Sequence, residues 1–198
     1  MVDSLSTTEK KKEKASIWNV PNQLTIGRLV LAIVCFVLIS LQVYGAALVV
    51  FLVAVSTDWI DGYWARKYNQ VTKLGRILDP FVDKIIICGT FIFLCAEPRS
   101  GITAWFAVIV VGREILVTAL RGFIEQQGGD FSARALGKWK MVFQCVAVST
   151  SLVVLMGIAG PDAGWLDWTL LVSVWLAVLS TIYSGVDYIG AAIKMVRN

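Results

Sequence analysis

Four aspartates carry the strongest chemical signal in the sequence. Asp58 and Asp61 are spaced by three residues and Asp79 and Asp83 by four, with Gly62, Ala65, Arg66 and Gly75 lying between the pairs. On a helix these spacings bring side chains to one face, so each pair presents two carboxylates together. Both pairs fall at the ends of neighbouring apolar stretches. Carboxylates gathered at a membrane boundary repel one another and lose hydration, which is tolerable when cations sit between them. Hard carboxylate oxygens suit Mg²⁺ or Mn²⁺, and four of them suit two divalent cations. Gly62 and Gly75 permit close approach of a ligand to the backbone. A plainer reading makes Asp79 the N-cap of a helix opened by Pro80 and leaves the other acids snorkelling or paired with Arg66, Lys67 and Lys84. Four acids in this pattern favour the dinuclear metal site.

A second group is cationic. Arg113, Glu114 and Arg121 occur in one apolar stretch, and Lys138 and Lys140 open the next. At about 1.5 Å per residue, Arg113 lies ~12 Å inside the span from Arg121. An arginine at that depth is costly unless it is paired or faces a polar cavity. Spaced by eight, the two arginines share a helix face. Arginine offers forked donors to phosphate oxygens and lysine adds a point charge, so Arg113, Arg121, Lys138 and Lys140 are candidates for binding a phosphate group. The alternative leaves Glu114 merely paired with a cation and the lysines snorkelling.

The elements that must position these groups follow from composition. Of 198 residues 57% are hydrophobic and 16% charged, against about 25% charged in soluble domains, which excludes an ordinary water-soluble enzyme. Six apolar stretches, near 24–44, 45–65, 78–96, 102–124, 138–158 and 167–190, imply an all-α polytopic membrane protein with six transmembrane helices. Gly45, Pro98 with Gly101, and Gly160 with Pro161 mark the joins. Residues 17–20, ahead of Pro21, suit a short interfacial helix ending before the first span. Residues 1–16 read as a separate lysine-rich tail, either a solubilising end or one held near anionic lipids, leaving 17–198 as the membrane domain. No internal repeat is visible. The absence of histidine removes Ser-His-Asp and Cys-His nucleophiles, imidazole zinc sites and histidine-based phosphodiester chemistry. Cys35, Cys88, Cys95 and Cys145 lie in apolar runs without paired spacing, so buried packing is expected rather than disulfides or a metal knuckle.

Orientation comes from the basic residues. Lys10, Lys11, Lys12, Lys14, Arg28, Arg66, Lys67, Lys73, Arg76, Arg121, Arg134, Lys138, Lys140, Lys194 and Arg197 fall on one side, and Arg99 on the other. The first side is expected to be cytosolic, with both termini and the aspartates. Trp105, Trp165 and Trp168 fall where an outer aromatic belt would lie. The net charge of +4 is modest, and no nucleic-acid partner is expected.

The series Asp58-x2-Asp61-Gly62-x2-Ala65-Arg66-x8-Gly75-x3-Asp79-x3-Asp83 resembles the signature of the CDP-alcohol phosphotransferases at every specified position. The resemblance implies six transmembrane helices, a homodimer, and transfer from a CDP-linked donor to an alcohol, with two metals clamping the pyrophosphate. It further implies that Asp58 and Asp79 are shared between both metals, that Asp61 completes the first, and that Asp83 touches the second and is the general base. Asp58, Gly62, Ala65, Arg66 and Gly75 would hold the cytidine nucleotide. The entrance Pro21-Asn22-x-Leu24-Thr25-x2-Arg28 and the two cationic segments are similar to those of family members acting on sn-glycerol 3-phosphate, which adds Asn22 and Thr25 to the donor set. The implied reaction moves the phosphatidyl group of CDP-diacylglycerol to sn-glycerol 3-phosphate in a bacterial inner membrane, giving phosphatidylglycerol phosphate and CMP. Its rivals are the same chemistry on inositol phosphate, serine or a second phosphatidylglycerol, and, from another class, a small membrane transporter.

Overall fold

The computed structural model describes residues 20–68, 73–126, 135–157 and 164–197, and within them the side chains other than those of 20–22, 58–68, 73–77, 79, 125–126, 135–138 and 195–197. The described residues form six helices and no strand: α1 (Val20–Ser40), α2 (Tyr44–Tyr68), α3 (Lys73–Cys95), α4 (Ala104–Gln126), α5 (Ala135–Leu155) and α6 (Gly164–Arg197). They close a ring in the order α1, α2, α5, α6, α4, α3, and contacts between α3 and α5 bridge it. Phe51, Phe91, Leu94, Val110, Val148 and Leu152 fill the interior without exposure. Outward-facing side chains are also apolar, including Val30, Ile33 and Val37 of α1 and Leu179, Ile182 and Val186 of α6. Continuous apolar surface of this kind suits hydrocarbon rather than water.

The six-span expectation is met in helix number but only partly in helix character. α1 over Gln23–Ser40 and α6 over Gly164–Lys194 are long and apolar enough to cross a membrane, whereas Tyr44–Thr57 and Trp139–Leu155 are shorter apolar runs. The reason lies in the candidate site itself. Asp58 and Asp61 interrupt α2, Asp79, Asp83 and Lys84 interrupt α3, Arg113, Glu114 and Arg121 interrupt α4, and Lys138 and Lys140 open α5.

Three local expectations change. Pro21 does not end a helix before the first span; α1, described from Val20, runs straight through it. Residues 1–19, with the lysine tail, lie outside the described part. Gly45 is not the first join, because it sits inside α2 and a Cβ on it would press against Met156 Cε at 3.1 Å. The join is made by Gln42, at φ 59°. Gln42 N–H donates to Ile39 O at 2.8 Å and Val43 N–H to Leu38 O at 2.9 Å, the paired reverse bonds that close a helix through a left-handed residue. Asp79 is no N-cap either: it lies inside α3, and so does Pro80. Pro80 has no N–H to give the carbonyl of Arg76, a local break in the helical ladder beside the acids.

The join after α3 is as expected, with Gly101 at φ 68°. Gly157, at φ 64°, closes α5, while Gly160 and Pro161 lie outside the described residues. All four cysteines are free thiols; Cys35 is buried and the other three half-buried.

Candidate active site

α1 determines how α3 presents Asp83. Among the described residues α1 packs on α2 and on α3 far more extensively than those two pack on each other. The α1–α3 contact is close because Gly89 carries no side chain: a Cβ there would come within 2.2 Å of the Phe36 ring. Phe36 in turn stacks on Phe93 with centroids 5.0 Å apart. Near the other end of this contact Arg28, 3% exposed, donates from Nη1 to Asp83 Oδ1 at 2.7 Å. Thr25, one turn earlier, is buried on α1 as well. Arg28 entered the sequence reading as a motif position and a basic residue; its ion pair across 55 residues was not visible there.

The backbone places Asp58, Asp61, Gly62, Ala65 and Arg66 on α2 and Gly75, Asp79 and Asp83 on α3. The helical spacings assumed for both aspartate pairs therefore hold. Side-chain expectations for Asn22, Asp58, Asp61, Ala65, Arg66, Asp79 and Lys138, and the surroundings of Gly62 and Gly75, lie outside the described residues. The donor chemistry fits a divalent pair: four carboxylates in two helical pairs are hard, anionic oxygen ligands.

The cationic residues of α4 and α5 meet polar partners on α6. Glu114 of α4 accepts a hydrogen bond from Arg113 Nη1 at 3.1 Å and pairs with Lys140 Nζ of α5. Both Glu114 and Lys140 are buried, so Lys140 turns inward rather than toward water. Arg113 Nη2 also donates to Ser184 Oγ of α6 at 2.6 Å. Arg121 Nη2 donates to the Tyr188 hydroxyl at 3.2 Å. Both guanidinium carbons lie over the Tyr188 ring, Arg113 at 5.5 Å and Arg121 at 5.9 Å from its centroid. The shared face expected for Arg113 and Arg121 is thus occupied by one tyrosine. Lys84, beside Asp83 on α3, interacts electrostatically with Glu114 and Arg121 as well as Asp83, which makes the cationic cluster a neighbour of the Asp83 site.

Ser184, Gly185 and Tyr188 were not singled out from the sequence. The signal available was the polar interruption Ser184-Gly185-Val186-Asp187-Tyr188 in an otherwise apolar final stretch. At the opposite end of the bundle, the Tyr44 hydroxyl donates to Glu97 Oε2 at 2.7 Å, and Trp105, Trp165 and Trp168 are strongly exposed.

A family model described as CDP-alcohol phosphatidyltransferase matches residues 18–183, ending one residue before Ser184. A protein of Bacillus subtilis (strain 168) named CDP-diacylglycerol–glycerol-3-phosphate 3-phosphatidyltransferase is 32% identical over 188 residues, covering 87% of this chain and 94% of that protein. Proteins with the same name from Rickettsia bellii (strain RML369-C) and Escherichia coli (strain K12) are 32% and 30% identical over 179 and 181 residues. They cover 89% and 88% of this chain, and 96% and 95% of their own lengths.

Proposed function

The chain belongs to the CDP-alcohol phosphatidyltransferase family, and on that footing we propose that it transfers the phosphatidyl group of CDP-diacylglycerol to sn-glycerol 3-phosphate, producing phosphatidylglycerol phosphate and CMP. The observation that carries the acceptor choice is the pair Arg113 and Arg121, two guanidinium groups gathered over one buried tyrosine beside the Asp83 site. The names of relatives that align over nearly their whole lengths agree with it.

In the proposed reaction Asp83 is the general base. With Oδ1 held by Arg28, its carboxylate is oriented to take the proton of the acceptor's 1-hydroxyl. That oxygen attacks the phosphorus on the diacylglycerol side of the pyrophosphate, the bond from that phosphorus to the bridging oxygen breaks, and CMP leaves with the electron pair. Asn22, Thr25, Asp58, Gly62, Ala65, Arg66 and Gly75 hold the CDP portion of the donor. Arg113, Arg121 and Lys138 bind the acceptor phosphate, and Lys140, next to Glu114, adds to the cationic field. Two divalent cations, Mg²⁺ or Mn²⁺, bound by Asp58, Asp61, Asp79 and Asp83, would neutralise the pyrophosphate and the departing CMP.

The proposed setting is a bacterial inner membrane crossed six times by a homodimeric protein, with both termini and the site facing the cytosol. The basic-residue asymmetry supports that orientation, and the apolar outer surface supports the membrane setting. Among the described side chains, Glu114 of α4 and Lys140 of α5 are buried in the bundle interior, where a charge within a span can be accommodated by pairing.

Purified protein given radiolabelled CDP-diacylglycerol and a panel of acceptors tests the reading. The expected result is CMP release and labelled phosphatidylglycerol phosphate with sn-glycerol 3-phosphate, dependent on Mg²⁺ or Mn²⁺. Product with serine, inositol phosphate or phosphatidylglycerol instead would reassign the acceptor, and no CMP with any acceptor would overturn the reaction.

A further inference from the structure

Arg113 is shaped by α6 along its whole length. Its stem lies against Gly185, where a Cβ would sit 3.3 Å from Arg113 Cγ, tighter than ordinary contact. Its guanidinium is held by Glu114 and Ser184 and lies over the Tyr188 ring. Arg121 shares that ring and donates to its hydroxyl. Tyr188 is only 3% exposed, so its position is set by packing. One rigid aromatic thus orients two like charges that would otherwise separate.

The cluster also retains unused donors. The Nε atoms of Arg113 and Arg121 are buried and without a hydrogen-bond partner. Buried donors of this kind are costly, and an oxyanion can satisfy N–H groups of two guanidinium ions while offsetting their repulsion. We propose that Ser184, Gly185 and Tyr188 form a cradle on α6 that positions Arg113 and Arg121 as a single receptor for the acceptor's phosphate. The cradle thereby sets the preference for a phosphorylated over an unphosphorylated alcohol. The inference rests on the reaction proposed above. Ser184 pins one guanidinium nitrogen, Gly185 leaves room for the Arg113 stem, and Tyr188 fixes the spacing of the two arginines. All three are positioning residues.

The test compares wild type with Tyr188→Phe, which removes the hydroxyl but keeps the ring, Tyr188→Leu, which removes both, and Gly185→Val, which crowds the Arg113 stem. Steady-state kinetics with sn-glycerol 3-phosphate should show the acceptor KM raised about 10-fold in Tyr188→Phe and about 100-fold in Tyr188→Leu, as expected for loss of one charged hydrogen bond and then of the cation–π contacts as well. Gly185→Val should raise it about 10-fold by displacing Arg113. The KM for CDP-diacylglycerol should stay within about twofold, and selectivity for sn-glycerol 3-phosphate over glycerol should fall in parallel with the acceptor defect. A structural role alone would not split the two substrates in this way.

A second readout uses inorganic phosphate as the probe, through its protection of detergent-purified protein against thermal unfolding. Phosphate should protect wild type, and protection should fall in Tyr188→Leu. Acceptor KM unchanged in Tyr188→Leu and Gly185→Val, or donor and acceptor KM rising together, overturns the cradle. Wild type that releases no CMP with sn-glycerol 3-phosphate defeats the proposed reaction instead. The cradle is then judged by phosphate protection alone, and equal protection of wild type and Tyr188→Leu overturns it.

Discussion

The carboxylate end of the bundle and its cationic cluster both take charge into an apolar body, yet they balance it differently. In the cluster the chain supplies part of the counter-charge itself: Glu114 sits between Arg113 and Lys140, while α6 adds a neutral serine and tyrosine. At the acid end Arg28 meets Asp83, while the proposed role of the four aspartates calls on divalent ions that come from outside. A buried charge balanced within the chain is part of the fold, and losing one partner destabilises it. A charge balanced by substrate and metal is part of the reaction. Substitutions in the two regions should therefore fail in different ways.

The largest expected effect is Asp79→Asn, which should bring CMP release to background and weaken the response to Mg²⁺ while thermal unfolding in detergent stays near wild type. Wild-type turnover of Asp79→Asn at limiting Mg²⁺ would remove the metal assignment and with it the contrast. Glu114→Gln should do the opposite. It leaves the Arg113 and Lys140 cations without their shared carboxylate, and a loss of about 3–5 kcal/mol in unfolding free energy is expected. A Glu114→Leu, Lys140→Met double variant should recover only part of that loss, because it removes two of the buried charges and still leaves Arg113 without a carboxylate. If Glu114→Gln unfolds like wild type, the pair is not internally balanced as described.

Arg28 lies between the two kinds of behaviour. Losing a charged hydrogen bond, worth about 1.5–3 kcal/mol, Arg28→Gln should lower kcat by about 10- to 100-fold, with Arg28→Lys retaining part of the rate. Asp83→Asn should cost about 10²- to 10⁴-fold as loss of a general base. In the Asp83→Asn background Arg28→Gln should then cost little more, since the two act as one unit. Additive losses would separate Arg28 from the base. The smallest effect is expected at the Gln42 turn, at the end of the bundle away from both regions. Gln42→Gly relieves a left-handed glutamine, and a gain of about 0.5–1 kcal/mol in stability with unchanged turnover is expected, measured by thermal unfolding and CMP release on the same preparation.

What the sequence alone determined is what local spacing can carry. The six helices follow from the six apolar stretches, and the helical pairing of Asp58 with Asp61 and of Asp79 with Asp83 and the shared face of Arg113 and Arg121 follow from spacing, because residues three, four or eight apart on one helix keep a fixed relation whatever that helix packs against. Even there the chain ends of helices eluded it. Gly45 and Pro21 looked like breaks, but glycine is tolerated inside a helix packed against Met156, α1 runs through the proline, and a glutamine can adopt the left-handed turn. Tertiary structure alone decided the partners. Arg28 meets Asp83 across 55 residues, Lys140 meets Glu114 across 26, and Arg113 and Arg121 meet Ser184 and Tyr188 across 71 and 67. No periodicity links such positions, since their contact depends on the order in which the helices close the ring and on small features such as Gly89 and Gly185 that let neighbouring helices or side chains come close enough to meet.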